Sequence, residues 1–407
     1  MGNMGNMDFI MEYKLIQQTP LIHFQHDNEG ATLRASEVKP KLDSYIKKMY
    51  ACVYTEKGVP DNWYIDKKKN LALNYKIRFK ADVKTKVDII PYNIFFANMG
   101  EDRKNNPIKM LLGDCTMTII CIIDTLRDEI DRILKCFFIC HTFGFMQGKG
   151  FGGYLLDKCN PSRLEIKCTL KQFFQTQHIF YVKSDLNTFA KKIQNTYGKL
   201  VTSENKFDNI IKPFHSMMKS GINFNGHERS FLFQYFHKNY QFGNDKAFVK
   251  SKGIAPIVYK STTAGKGEHA TYYEQYKYIR ALLGITESIE YIKALDASDK
   301  PVKDSRGIIK KEPIAIKNID DIERFPSPIQ YRIIGDTVYV FAKPIDDRIF
   351  GSVFMFSSAL SSDTIAVPEI NEFDIEHFLC DYIEHVNTDK NARHVARFHN
   401  ITFREVE

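Results

Sequence analysis

Hydrophobic and polar positions alternate most sharply between Leu71 and Val83. Leu73, Tyr75, Ile77, Phe79, Ala81 and Val83 take turns with Asn74, Lys76, Arg78, Lys80 and Asp82. A period of two sends one set to a core and the other outward, so the pattern predicts a strand with a basic outer face. Met110–Ile123, with Thr116, Thr118, Ile119 and Ile120, predicts a second strand. From Asp124 the period changes. Leu126, Ile130, Ile133, Leu134, Phe137 and Phe138 recur at helical spacing, which predicts an amphipathic helix with Asp124 as N-cap and Gly144 as its stop. Arg163–Lys171 alternates again and predicts a strand.

Earlier in the chain, Glu12–Gln25 is strand-like, with Pro20 marking an edge or a break. Leu42, Tyr45, Ile46 and Met49 share one face of a helix expected to begin near Pro40. Residues 9–171 therefore read strand, helix, strands, helix, glycine loop, strand, the split βαβ or ferredoxin-like plan. Residues 172–252 are rich in aromatics and lysine and look mainly helical. Ile254–Tyr259 predicts a short strand, Ala270–Ala294 a helix broken near Gly284, and Lys300–Lys311 a linker or mobile loop. Pro326–Ile345 predicts a hairpin turning at Gly335-Asp336. Ile370–Val386 predicts a helix and Ile401–Val406 a last strand. The expected fold class is α+β. Residues 1–8 read as a disordered leader, 9–184 as the first domain and 185–407 as a second α+β domain with a helical insertion.

Length and composition agree with two packed domains: the chain has 407 residues, 43% of them hydrophobic, and domains run to about 100–200 residues. The net charge of +8 favours a polyanionic partner. The eight cysteines include no CxxC pair, which points to reduced thiols and a cytoplasmic setting. Cys136, Cys140 and His141 lie among Phe137, Phe138 and Ile139, a core pattern and not a loop-spaced zinc site. No signal peptide and no apolar run of about 18 residues appears, so no membrane partner is expected. Neither a metal nor a cofactor is expected.

The densest motif is a glycine loop. Gly144, Gly148, Gly150, Gly152 and Gly153 crowd around Lys149 and Phe151. Such a run lets the main chain approach a ligand closely, and its amides can cradle phosphate oxygens. Gly148, Lys149, Gly150, Phe151 and Gly152 are thus candidate phosphate contacts, which would give affinity without sequence reading. The alternative is a tight turn that lets helix and sheet pack. No GxxxxGK[ST] is present, and the loop ends a helix instead of opening one, which argues against nucleotide-binding loops. Lys76, Arg78 and Lys80 form either a solvated face or a stripe along RNA phosphates. Arg34, Lys39 and Lys41 read as phosphate contacts or as solvated surface. Lys266, in the loop Lys260–His269, marks a second phosphate loop or a connector. Tyr235, Phe236, Tyr240, Phe242, Tyr272, Tyr273, Tyr276 and Tyr278 read as core, or as platforms for unpaired bases.

The segment Gly144-Phe145-Met146-Gln147-Gly148-Lys149-Gly150-Phe151-Gly152, entered from a helix, resembles the glycine-rich loop of the CRISPR-associated RAMP superfamily. Thr19-Pro20-Leu21-Ile22-His23-Phe24 and the following Ala31-Thr32-Leu33-Arg34 are similar to the opening of the first RAMP subunit of the type III-B Cmr effector. Pro326-Ser327-Pro328-Ile329 resembles a strand entry of such proteins. The usual G-A-L-R-x-W-x-R helix is replaced here by A-T-L-R-A-S-E-V-K-P-K. The resemblance implies tandem ferredoxin-like (RRM-like) RAMP domains with helical insertions. It also implies guide or target RNA as ligand, other effector subunits as partners, and a role in antiviral defence without nuclease activity. The alternatives are a metal-independent repeat-RNA endoribonuclease using His23 or His26 as general acid or base, and an assembly-only subunit.

Overall fold

The computed structural model describes residues 9–23, 30–54, 58–67, 70–82, 90–91, 109–184, 191–194, 200–203, 207–223, 227–256, 273–296, 298, 300–305, 307, 309–320, 322, 325–388 and 401–407. The fold is α+β, with antiparallel sheets and seven α-helices among the described residues. Two compact units form, and they are not consecutive in sequence. The first comprises Met1–Ile211, Gln330–Phe341 and Phe403–Glu407, the second Lys212–Ile329 and Ala342–Thr402.

The first unit opens with β1 (Ile10–Gln17), α1 (Ala35–Val53), β2 (Lys76–Ala81), β3 (Cys115–Ile120), α2 (Asp124–Cys140) and β4 (Tyr154–Leu156). The sheet order is β2-β3-β1-β4, and each neighbouring pair is antiparallel. One face of the sheet sends Leu15, Ile77, Met117 and Ile119 into the core. Val38, Leu42, Tyr45 and Ile46 of α1 and Leu126, Ile130, Leu134 and Phe137 of α2 meet them there. These are the i, i+3, i+4 positions read from the sequence, and their burial is what holds both helices on the sheet.

Several elements differ from the sequence reading. The strand expected over Leu71–Val83 is two strands, Asn70–Leu73 and β2, and they belong to different sheets. The break comes where the Tyr75 amide donates to the Leu73 carbonyl at 3.0 Å, a three-residue turn that lets Leu73 and Tyr75 both reach the core. The helix expected near Pro40 begins at Ala35 and carries Pro40 inside it. The residue before α2 is Ile123, without a side-chain cap; Asp124 is already helical and pairs with Arg127 at 2.8 Å. Arg163–Lys171 is helix, not strand: α3 spans Arg163–Phe174. Ser162 and Glu165 form a reciprocal capping box, and Ile166 and Leu170, one turn apart, are buried. Within 172–252 strands accompany the helices, among them β5 (Ile179–Lys183).

The hairpin at Gly335-Asp336 forms as read, from β-strands Ile329–Ile334 and Thr337–Ala342, with Gly335 at φ 57°. Its second strand pairs with β5, which pairs in turn with Arg404–Glu405. In the second unit, Ala270–Ala294 is not a helix over its described residues; a short 3-10 turn, Ile279–Leu283, precedes the strand Ser288–Ile292. Lys300–Lys311 is drawn into β structure through bridges Leu295↔Pro301 and Lys303↔Ile309. The leader 1–8 lies outside the described residues.

Candidate nucleic-acid interface

The glycine loop is built by close approach of backbone to backbone. Gly152, at φ 72°, sits so near Phe143 that a Cβ would stand 1.9 Å from the Phe143 carbonyl oxygen. Gly144, at φ 78°, would meet the Ile22 carbonyl at 2.4 Å. The loop's amides are largely spent inside the fold. Gly144 donates to Glu37 Oε1 (2.8 Å), Gly152 to the Pro20 carbonyl (2.8 Å) and Gly153 to Thr19 Oγ1 (2.7 Å). Lys149 and Gly150 donate to the Met146 and Gln147 carbonyls, each at 2.9 Å. Phe151 is fully buried, and Gly150 and Gly152 are buried. Of the five candidate contacts Gly148–Gly152, Gly148 and Lys149 are half-buried and the other three are buried. The Lys149 ammonium lies 5.9 Å from the centroid of the Tyr331 ring.

Lys39 and Lys41 are half-buried, and their ammonium groups are engaged inside the fold. Lys39 Nζ donates to Asp43 (2.9 Å) and the Leu73 carbonyl (2.9 Å) and stands over the Tyr75 ring. Lys41 Nζ donates to Glu37 Oε1 (3.0 Å), the Thr142 carbonyl (3.0 Å) and Gln147 Oε1 (2.7 Å). An ammonium has three donors, and these three acceptors occupy them all. Burial lowers the Lys41 pKa, and Glu37 works against that shift. Both lysines pair with a carboxylate one turn away on α1 and also reach distant acceptors, the Leu73 carbonyl for Lys39 and the Thr142 carbonyl and Gln147 side chain for Lys41, which sequence alone does not reveal. Arg34 is the extended residue that opens α1 and is half-buried.

His23 is 5% exposed, and its Nε2 lies 3.2 Å from the Thr32 carbonyl. A carbonyl can only accept, so that nitrogen carries the proton and donates it internally. His26, Lys266 and Tyr272 lie outside the described residues. Among the other aromatics, Phe236, Phe242 and Tyr278 are buried, and Tyr235 packs edge-on against Phe373 and Phe378.

The outer face of the first sheet gathers the exposed cations. Pairing registers align three rows across β2, β3 and β1: Lys76–Ile120–Ile10, Arg78–Thr118–Glu12 and Lys80–Thr116–Lys14. Lys76, Arg78, Lys80 and Lys14 are exposed, and the threonines between them are half-buried. Lys14 also stands 4.0 Å from Asp82. The face is therefore cationic along the edge strand β2, with hydroxyls on β3 and the opposite charges of Glu12 and Lys14 on β1. Lys14, Thr116 and Thr118 are not among the contacts expected from the sequence, although their alternation with Tyr13, Leu15 and Met117 is a signal for an outward face.

One buried cation escaped the sequence reading altogether. Arg332 is 5% exposed, donates from Nε and Nη2 to the Cys140 carbonyl at the end of α2 (3.1 and 2.6 Å), and lies over Phe174 and Phe341. Burial lowers its pKa to about 10. Among the described residues no cluster of three or more His, Cys, Asp or Glu side chains could hold a metal ion, and no helix is long and apolar enough to cross a membrane.

Two family models match the chain, the Cmr1 N-terminal domain over residues 8–222 and the Cmr1 C-terminal domain over residues 227–405. No curated protein matches it.

Proposed function

This chain belongs to the Cmr1 family, whose two domain models cover nearly all of it, and from that premise we propose an RNA-binding subunit of a type III-B CRISPR effector ribonucleoprotein. In this reading it grips the backbone of guide or target RNA in antiviral defence, beside other effector subunits in the cytoplasm, and is not itself the nuclease.

The carrying observation is the outer sheet face, where Lys76, Arg78, Lys80 and Lys14 are exposed in register around Thr116 and Thr118. Cations spaced along a strand meet phosphates, and hydroxyls can bond phosphate or 2′-OH groups. Lys149 beside Gly148 and Arg34 at the start of α1 extend the contact in this reading. The buried amides of Gly150, Phe151 and Gly152 serve it indirectly, by holding Lys149 in place. The strand–helix–strand–strand–helix–strand order and the β2-β3-β1-β4 sheet support a ferredoxin-like first domain. The same plan repeated in tandem is part of the proposal. The inward hydrogen bond of His23 supports a role without catalysis, since a general acid must reach its substrate.

The test is the salt dependence of RNA binding. Replacing Lys76, Arg78 and Lys80 together by alanine should lower the slope of log Kobs against log salt by about 2, at about 0.7 per single-strand phosphate released. An unchanged slope would remove this face from the RNA path. RNA cleavage in EDTA by the purified chain would favour the endoribonuclease instead.

A further inference from the structure

On the outer face of the first sheet one carboxylate stands among the cations. Glu12 of β1 is exposed, and Thr118 beside it is half-buried. The backbone ladders fix how close their neighbours are. The Asp82 amide donates to the Asp114 carbonyl at 3.0 Å, which continues the register of β2 on β3. Hydrogen-bonded and non-hydrogen-bonded pairs alternate along an antiparallel ladder, so Arg78–Thr118 and Lys80–Thr116 are hydrogen-bonded pairs, with Cα atoms about 5.5 Å apart. On the other side the Cys121 amide donates to the Phe9 carbonyl at 2.9 Å, in register with β1 and β3. Thr118–Glu12 and Thr116–Lys14 are therefore the closer, non-hydrogen-bonded pairs, about 4.5 Å apart.

The two rows suit different groups. Lys80–Thr116–Lys14 sets a hydroxyl between two cations, which suits a phosphate. Arg78–Thr118–Glu12 sets a hydroxyl between a cation and a carboxylate. An ionised carboxylate only accepts, and it repels phosphate, so its partner on a nucleic acid has to be a neutral donor. The ribose 2′-hydroxyl is such a donor, and it also accepts. It lies next to the 3′-phosphate of its own nucleotide. A phosphate held by Arg78 thus brings the adjoining hydroxyl over Thr118, within reach of Glu12.

We propose that Thr118 and Glu12 select RNA over DNA, a selection that rests on this face being the RNA path. The 2′-hydroxyl donates to the Glu12 carboxylate and accepts from Thr118 Oγ1, while Arg78 holds the phosphate beside it. A hydrogen bond to an ionised acceptor is among the stronger ones, and DNA has no group to put in its place. DNA keeps only the phosphate contacts, which do not distinguish the two sugars. Base amino groups are the other neutral donors within a nucleotide. RNA and DNA both carry them, so a base contact at Glu12 gives no preference for ribose.

Binding is measured on the full chain by fluorescence anisotropy with three oligouridylates of equal length, carrying ribose, 2′-deoxyribose or 2′-fluororibose. Fluorine keeps the ribose pucker but cannot donate, so it separates the hydroxyl from the shape of the backbone. The parent should bind the ribose oligomer about tenfold more tightly than either analogue. Thr118→Val and Glu12→Val, both suited to a strand, should each shrink that preference by about threefold or more, and Thr118→Val should leave the salt slope where it was. A parent without the preference, a preference unchanged in both variants, or equal losses on all three oligomers overturns the inference. The alanine triple of Lys76, Arg78 and Lys80 separates the two levels. If it weakens binding while the valine variants keep the ribose preference, the face binds RNA but does not select it. If it leaves binding unchanged, the face is not the RNA path and the selection falls with it.

Discussion

Lys41 Nζ stands 2.7 Å from Gln147 Oε1, so a side chain of the first helix holds the tip of the glycine loop. The same node includes Glu37, whose Oε1 receives Lys41, the Gly144 amide and, at 3.2 Å, Gln147 Nε2. The loop is thus fastened at both shoulders by two residues one turn apart on α1. Lys149 lies two residues beyond that anchor, and its own amide donates to the Met146 carbonyl at 2.9 Å.

Replacing Lys41 by methionine keeps the stem but strips the Thr142 carbonyl, Glu37 and Gln147 of a donor. We expect a loss of about 2–3 kcal/mol in urea unfolding, since unpaired partly buried acceptors retain their desolvation cost. The salt slope of RNA binding should not move, because the Lys41 donors are already occupied. A drop in slope with stability intact would make Lys41 a phosphate contact after all.

Two glycines of the same loop should behave oppositely. Gly152→Ala places a methyl 1.9 Å from the Phe143 carbonyl oxygen at a positive φ, and the backbone there cannot yield. A destabilisation of about 3 kcal/mol or more is expected. Gly148→Ala meets the Gln330 side-chain amide at 3.3 Å, a flexible neighbour that can shift. Its cost should stay below about 1 kcal/mol. Thermal melts of the two variants check the pair, and equal losses would contradict the backbone-packing account.

His141 provides a pH test. Burial lowers its pKa from 6.5 to about 3, with the charges of Arg332 and Lys41 pushing the same way and the Phe137 carbonyl opposing. The folded chain therefore favours the neutral ring. Its contribution is fully present above pH 6.5 and is lost as pH falls toward 3. Between pH 7 and 5 the loss should reach up to about 2 kcal/mol, less where solvent reaches the ring. His141→Phe keeps the stacking on Phe137, seen at 4.5 Å between ring centres, and removes the titration. Its stability should be flatter over that pH range than that of the parent, and identical pH profiles would refute the assignment.

Local periodicity carried much of the first unit. The helical recurrence from Leu126 to Phe138 and the alternation from Ile77 to Ala81 describe what each element buries, and burial of these faces is what folding rewards. The hairpin at Gly335-Asp336 was legible for the same reason, since a glycine there admits the positive φ that the turn requires. Arg163–Lys171 misled because nine residues can satisfy either period, and the Ser162–Glu165 capping box decides for helix.

The sequence by itself determined which stretches are amphipathic, that the glycines cluster around Lys149, and that the outward positions of β2 are basic. Tertiary structure alone decided what those charges do. Lys39, Lys41 and Arg332 look in sequence like any exposed cation, yet each spends its donors on carbonyls or carboxylates inside the fold, whereas Lys14, Lys76, Arg78 and Lys80 remain turned outward. It also decided that Gln330–Phe341 and Phe403–Glu407 complete the first unit. The physical reason is common to both. A hydrogen bond or a strand pairing between residues far apart in the chain leaves no local period behind it. Only the closed chain brings donor and acceptor together.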